Sequence, residues 1–387
     1  MRARSRGLSL VELMVAVTLA IVTSVVVLQV LSVYEARKRT ATGANDAEIG
    51  GAVGLFRLQR EVRMAGAGMT LPSNMACQGG LNLFFGGATV SDGAAFAPLR
   101  IIDGGAAAGG LRAPPDRIRV MRSDAAFGVA PATIVQNMAA ASSDITVNSS
   151  VGLAVGDLLL VGGPDGAEIC TLMQLSAAPA STGNGWRLEH DSGAGFPYNP
   201  NDPDTVFTTA VLYDVGDIAV NLGRLALRTF GVVCNNGAAP GATNSCDFAE
   251  WDSLAVPANP TLAQVNLDPR SGLIAAQVVD LQMQYGVAAA GSQVVNAWVD
   301  ATGATWAAPT AANLARIKAV RIALVTRGNL EREQVSPATL ELFPAITAGP
   351  ANPTAAVTMA LADAERFYRY KVLHVVVPLV NVIWAGV

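Results

Sequence analysis

Apolar residues run almost unbroken from Leu8 to Val33, and Glu12 is the lone ionisable side chain among them. As a helix this stretch is roughly 39 Å long, enough to cross a hydrocarbon core of about 30 Å with some tilt. The C-terminal VLHVVVPLVNVIW is also apolar, but it is β-branched and interrupted by Pro378, and reads as a buried strand. Past the long run, Leu55, Leu58, Val62 and Ala65 recur at spacings of three and four, which extends the helix with one apolar face. Arg57, Arg60 and Arg63 fall on a neighbouring face and read as a solvated row, contact with a partner subunit or anionic lipid being the alternative. Gly43, Gly50, Gly51 and Gly54 each cost up to about 1 kcal/mol of helix propensity, which predicts a bend or local melting. Gly66 and Gly68, ahead of Pro72, mark the helix end.

From about residue 70 the pattern is β. VVDLQMQY (278–285) alternates, with Val279, Leu281, Met283 and Tyr285 on one face and Asp280, Gln282 and Gln284 on the other. DRIRVMRS (116–123), RLALRTFGVV (224–233), KAVRIALVTR (318–327) and FYRYKVLHVVV (367–377) read as further strands, and 155–175 as a hairpin turning at GGPDG. The segments 186–205 and 234–260, rich in Gly, Pro, Asn and Ala, read as loops. The layout predicted is α+β: one long helix, 8–66, whose first part (8–33) is of membrane length, then a large β-rich head, 70–387, of antiparallel sheets.

Composition narrows the function. Charged residues make up 14% of the 387 and the net charge is −4, which argues against general binding to nucleic-acid backbones. Four cysteines, none in CxxC spacing, fit an exported protein with one or two disulfides, and three full pairings are possible. Cys234 and Cys246 enclose the flexible NNGAAPGATNS and are the expected pair, free buried thiols being the alternative; Cys77 with Cys170 is a looser pairing. No GxSxG, HExxH, P-loop or GxGxxG motif stands in the needed context, so no enzymatic activity and no cofactor are expected. The two histidines, His190 and His374, are too few for a histidine-rich metal site. NPNDPDT (199–205) offers Asn199, Asn201, Asp202 and Asp204 as oxygen donors for calcium, but it lacks EF-hand spacing and reads first as a turn.

The leader is atypical of a secretory signal: MRARSRG is basic, yet no A-x-A site ends the apolar run. Arg2, Arg4 and Arg6 precede the span and Arg37, Lys38 and Arg39 follow it, so flanking charge does not decide orientation. Gly7 followed by LSLVELMVAV resembles the prepilin recognition sequence of type IV pilins and type II secretion pseudopilins. The resemblance implies a leader of residues 1–7, cleavage by prepilin peptidase between Gly7 and Leu8, N-methylation of Leu8, and a filament-assembly role for Glu12 at the fifth mature position. It also supplies a physical reason for the charge. A carboxylate in the bilayer costs on the order of 3 kcal/mol, and the α-ammonium created at Leu8 of one subunit could pair with Glu12 of a neighbour. The bland alternative is a signal anchor whose Glu12 snorkels from the first helical turns.

RLQREVRMAGAGM, DRIRVMR, VGDLLLV, VVDLQMQYGV with Trp298-Val299-Asp300, IKAVRIALVTR and RFYRYKVLHVVV are similar, in this order, to the large minor pilins of the PilW type. The ending NVIWAGV departs from that pattern by lacking a basic tail. The resemblance implies a minor pilin held in the inner membrane by a single pass, its head in the periplasm, and later placed at the pilus tip. There it would help initiate or cap assembly, in motility, adhesion or DNA uptake. Implied partners are prepilin peptidase, other minor pilins, the major pilin, the inner-membrane assembly platform and a large tip adhesin. Rival readings are a J-like type II secretion pseudopilin, and a tip adhesin or DNA-uptake receptor. Loss of the three leader arginines takes the net charge from −4 to −7.

Overall fold

The computed structural model describes residues 9–69, 77, 79–105, 113–123, 130–235, 240–241, 244–346 and 354–381. Helix α1 (Leu10–Arg63) is one continuous helix of 54 residues, about 81 Å along its path. It ends where the sequence predicts, because Gly66 (φ 75°) and Gly68 (φ 73°) turn the chain through the left-handed region that favours glycine. The local melting expected at Gly43–Gly54 does not occur, because the helix runs unbroken through it. Gly43, Gly51 and Gly54 lie against the head, where close approach offsets their propensity cost, while Gly50 faces open space.

The strands are β1 (Leu81–Phe85), β2 (Ala88–Ala94), β3 (Leu99–Ile102), β4 (Arg117–Ser123), β5 (Ala132–Gln136), β6 (Ile145–Val147) and β7 (Leu158–Gly162). They continue as β8 (Cys170–Gln174), β9 (Ala180–Thr182), β10 (Gly185–Leu188), β11 (Ile218–Gly223), β12 (Leu225–Cys234), β13 (Cys246–Asp252) and β14 (Gly272–Ala275). The last are β15 (Val278–Ala288), β16 (Val295–Val299), β17 (Ile317–Leu330), β18 (Thr339–Phe343), β19 (Val357–Ala360) and β20 (Tyr368–Pro378). A nine-stranded sheet runs β2-β1-β8-β7-β11-β5-β6-β10-β9, a five-stranded one β14-β13-β12-β4-β3, and a four-stranded one β16-β15-β17-β20. Pairing is antiparallel, with β1 and β8 parallel. The hairpin β7–β8 forms as predicted.

One core joins the second half of α1 (Leu55, Leu58, Val62) to the inner faces of the five- and four-stranded sheets through Phe230, Phe248, Met283 and Ile322. The hairpin β18–β19 covers the outer face of the four-stranded sheet around Ala323, Val325 and Phe343. Three sequence expectations need correction. A bulge between Val278 and Asp280 interrupts the alternation, so Val279 turns away from Leu281, Met283 and Tyr285 into the outer cluster, and Val278 takes the inner place. The C-terminal strand β20 is the edge of its sheet and not a buried strand: Val376 is 55% exposed, and Val377 alone within the strand is buried. The expected loop 234–260 contains β13, an inner strand of its sheet, and β10 lies at the start of the expected loop 186–205.

Candidate functional site

The long helix divides into a bare half and a seated half. From Leu10 to Glu35 it is long and apolar enough to cross a membrane, and none of that segment is buried against the head. Its large apolar side chains are between 48% and 76% exposed. Ser9 Oγ accepts the Val11 N–H at 3.2 Å, and Glu12 Oε2 accepts the Ser9 N–H at 3.1 Å. The pair forms a capping box, so the lone carboxylate sits where the helix dipole favours it. The hydroxyls of Thr18, Thr23, Ser24 and Ser32 donate to carbonyls three or four residues back, which satisfies these four within the helix in an apolar medium. Gly7 and Leu8, the expected processing site, lie outside the described residues.

The seated half is clamped. A Cβ added at Gly51 would stand 2.5 Å from Leu373 Cδ1 and 2.6 Å from Thr326 Cγ2, so only glycine lets the backbone lie this close to β17 and β20. At Gly54 the neighbours are Phe248 at 3.1 Å and Ala275 at 3.3 Å. Glu61, 2% exposed, pairs with Arg57 at 3.3 Å and Arg122 of β4 at 3.2 Å, and Arg57 reaches Glu250 of β13 at 3.1 Å. Arg57 therefore leaves the solvated row expected of it; Arg60 and Arg63 remain exposed. Past the helix end, Asn381 Nδ2 donates to the Ala65 carbonyl at 3.0 Å, and Lys371 of β20 meets Glu48 at 3.3 Å. Head and helix are thus locked together by apolar contact, a partly buried ion-pair network and the C-terminal segment.

Where the helix leaves its bare half, a cleft of about 620 Å³ opens between it and the head. Glu35, Lys38, Thr42 and Asp46 line one wall, Gln277 and Arg327 the other. Arg327 is 5% exposed and fully engaged: it donates to the carbonyls of Gly241 and Asn244 and to Gln277 Oε1, and lies 4.6 Å from the centre of the Tyr368 ring. Gln277 holds a positive φ of 57°, with its N–H donated to Asp247 Oδ1.

The other expected sites are structural in their contacts. Cys234 and Cys246 form a disulfide across β12 and β13, and Cys77 pairs with Cys170, as the sequence suggested. Asn199 is buried and holds the backbone of Gln174 and Asp191, while Asp202 caps the short helix Pro203–Val206. Among the described residues no group of three or more His, Cys, Asp or Glu side chains is placed to hold a metal ion. His190 Nε2 meets the Ser143 carbonyl at 2.8 Å, and His374 lies beside the Phe343 ring.

Arg321 and Asp116 are among the buried charged groups that escaped the sequence reading. Arg321 of β17 is 5% exposed between the rings of Trp298 and Phe343; its Nε donates to Gln284 Oε1 at 2.6 Å. Burial pulls its guanidinium down to about 10. Asp116, 2% exposed, accepts the N–H groups of Gly104 and Met283. Burial raises its carboxyl well above the ordinary range, Asp103 and Asp280 push it the same way, and the two N–H donors oppose the rise.

Residues 256–381 match the family model described as Type IV Pilus-assembly protein W. No curated protein matches the chain, and no solved structure does. The matched segment contains β15, β17, β20 and Asn381, the sheet and strap that seat the helix. A bare apolar helix is thus seated on the sheet that carries this match, and the match supports a type IV pilus-related protein over the part that grips the helix.

Proposed function

We propose that the chain is a minor pilin that prepilin peptidase processes at Gly7–Leu8 and that helps initiate or cap a type IV pilus at its tip. The carrying observation is the continuous α1: apolar and bare over Leu10–Glu35, then clamped by the sheet that matches the pilus-assembly family. Before assembly the bare half spans the inner membrane and the head sits in the periplasm, an oxidising compartment that suits two disulfides. In storage, Glu12 is satisfied by the Ser9 N–H, a neutral donor. Cleavage creates an α-ammonium at Leu8, and a charge-assisted bond from a neighbour's ammonium is roughly twice as strong as a neutral one. Exchange of one donor for the other would reward correct register between subunits. The partners in this reading are prepilin peptidase, the assembly platform, the major pilin, other minor pilins and a tip adhesin; the head carries out no catalysis.

Deletion and complementation test the proposal. Loss of the gene should sharply reduce surface pili, and wild type should restore them. Glu12→Leu, which keeps the segment apolar, should insert in the membrane yet fail to restore pili. Normal piliation with defective protein secretion would point instead to a secretion pseudopilin.

A further inference from the structure

We propose that the cleft between α1 and the head holds the headgroup of phosphatidylethanolamine while the subunit is stored in the membrane; this rests on the membrane-anchored reading above. Position comes first. The apolar segment ends at Glu35, and its 26 residues span about 39 Å against a hydrocarbon core of about 30 Å. Its last turn therefore lies among the lipid headgroups, and the cleft opens there, at Glu35 and Lys38.

The lining chemistry selects the headgroup. Glu35, Lys38, Thr42 and Asp46 follow at spacings of three and four and share one helix face. One ammonium between two carboxylates complements a ligand that carries both charges: its phosphate meets Lys38, and its own ammonium meets Glu35 or Asp46. A primary ammonium can donate hydrogen bonds to those carboxylates, which the quaternary ammonium of phosphatidylcholine cannot. The anionic phosphatidylglycerol could use the Lys38 cation for its phosphate but brings no cation of its own for Glu35 or Asp46. About 620 Å³ lies within the range of small-ligand sites. The opposite wall is pre-built, with Arg327 fully bonded and Gln277 held at φ 57°, a strained conformation of the kind found at ligand clamps.

The test uses the full chain in nanodiscs of phosphatidylcholine containing matched minor fractions of phosphatidylethanolamine and phosphatidylglycerol. Resistance to alkaline carbonate extraction is scored first, in vesicles, and native mass spectrometry then counts lipids retained on the released protein. The expected result is one retained phosphatidylethanolamine per chain, enriched about tenfold over the other two lipids, a difference of about 1.4 kcal/mol. Thr42→Trp, which places an indole in the cleft from an exposed position, and Lys38→Ala should abolish that enrichment with an unchanged melting temperature. Equal retention of all lipids, preference for phosphatidylglycerol, or retention untouched by Thr42→Trp would overturn the proposal while leaving the anchor intact. Release of the chain by carbonate would sink the anchor reading itself.

Discussion

Gly50 and Gly51 are adjacent in the same helix, yet alanine should stabilise the chain at the first and not at the second. In an unobstructed helix, glycine to alanine gains up to about 1 kcal/mol. At Gly50 nothing lies within 4 Å of the added methyl, so Gly50→Ala should approach that gain. At Gly51 the methyl would sit 2.5 Å from Leu373 Cδ1 and 2.6 Å from Thr326 Cγ2. Leu373 is half-buried and can rotate, but Thr326 is fully buried and β-branched, so its methyl yields only if β17 or the helix moves. Overpacking of this kind costs about 1–3 kcal/mol, which outweighs the propensity gain or cancels it. The two variants should therefore differ by about 1–3 kcal/mol, a few degrees in melting temperature for a chain of this size. Thermal unfolding of the full chain in detergent, followed by near-ultraviolet circular dichroism, reads the difference. Equal stabilisation by both substitutions would show that the helix does not lie this close to β17 and β20.

The remaining predictions concern charge and cross-links. Glu61→Ala leaves Arg122 and Arg57 facing a partly buried gap and should destabilise the head by about 3 kcal/mol, with Glu61→Gln milder; denaturant titration reads both. Asp116 has a folded pKa raised above its unfolded value of about 3.9. Its contribution to stability is therefore complete below that value and is lost as pH rises through the folded one. Comparing wild type with Asp116→Asn from acid to neutral pH should reveal that downward component in wild type alone. Loop-closure entropy makes removal of Cys77–Cys170, with a separation of 93, cost about 5 kcal/mol. Removal of Cys234–Cys246, with a separation of 12, should cost about 3 kcal/mol; melting of the paired alanine variants gives the order.

What the sequence reveals follows from how local each signal is. The helix, its end at Gly66 and its apolar face at Leu55, Leu58 and Val62 are legible because they rest on period and turn chemistry within one segment. The seat of the helix is not legible. Gly51 and Gly54 register locally as weak helix formers, and their purpose lies in Thr326, Leu373 and Phe248, far along the chain. Glu61 reads as an ordinary polar position until β4 brings Arg122 to it. Strand β13 is masked by Asp247 and Glu250, whose partners Gln277 and Arg57 come from other elements. A single bulge reversed Val279, which no alternation count detects. Glu12 stands out as the lone charge in an apolar run, and its capping bond with Ser9 is local as well.

The central claim, a processed subunit that moves from membrane to filament, is tested most directly by reading the protein's N-terminus by mass spectrometry in sheared filaments and in the cell envelope. The account predicts an N-methylated Leu8 start in both, with few copies per filament. A Leu8 start confined to the envelope would contradict pilus incorporation, and an intact Met1 leader in cells with active prepilin peptidase would contradict the pilin reading altogether.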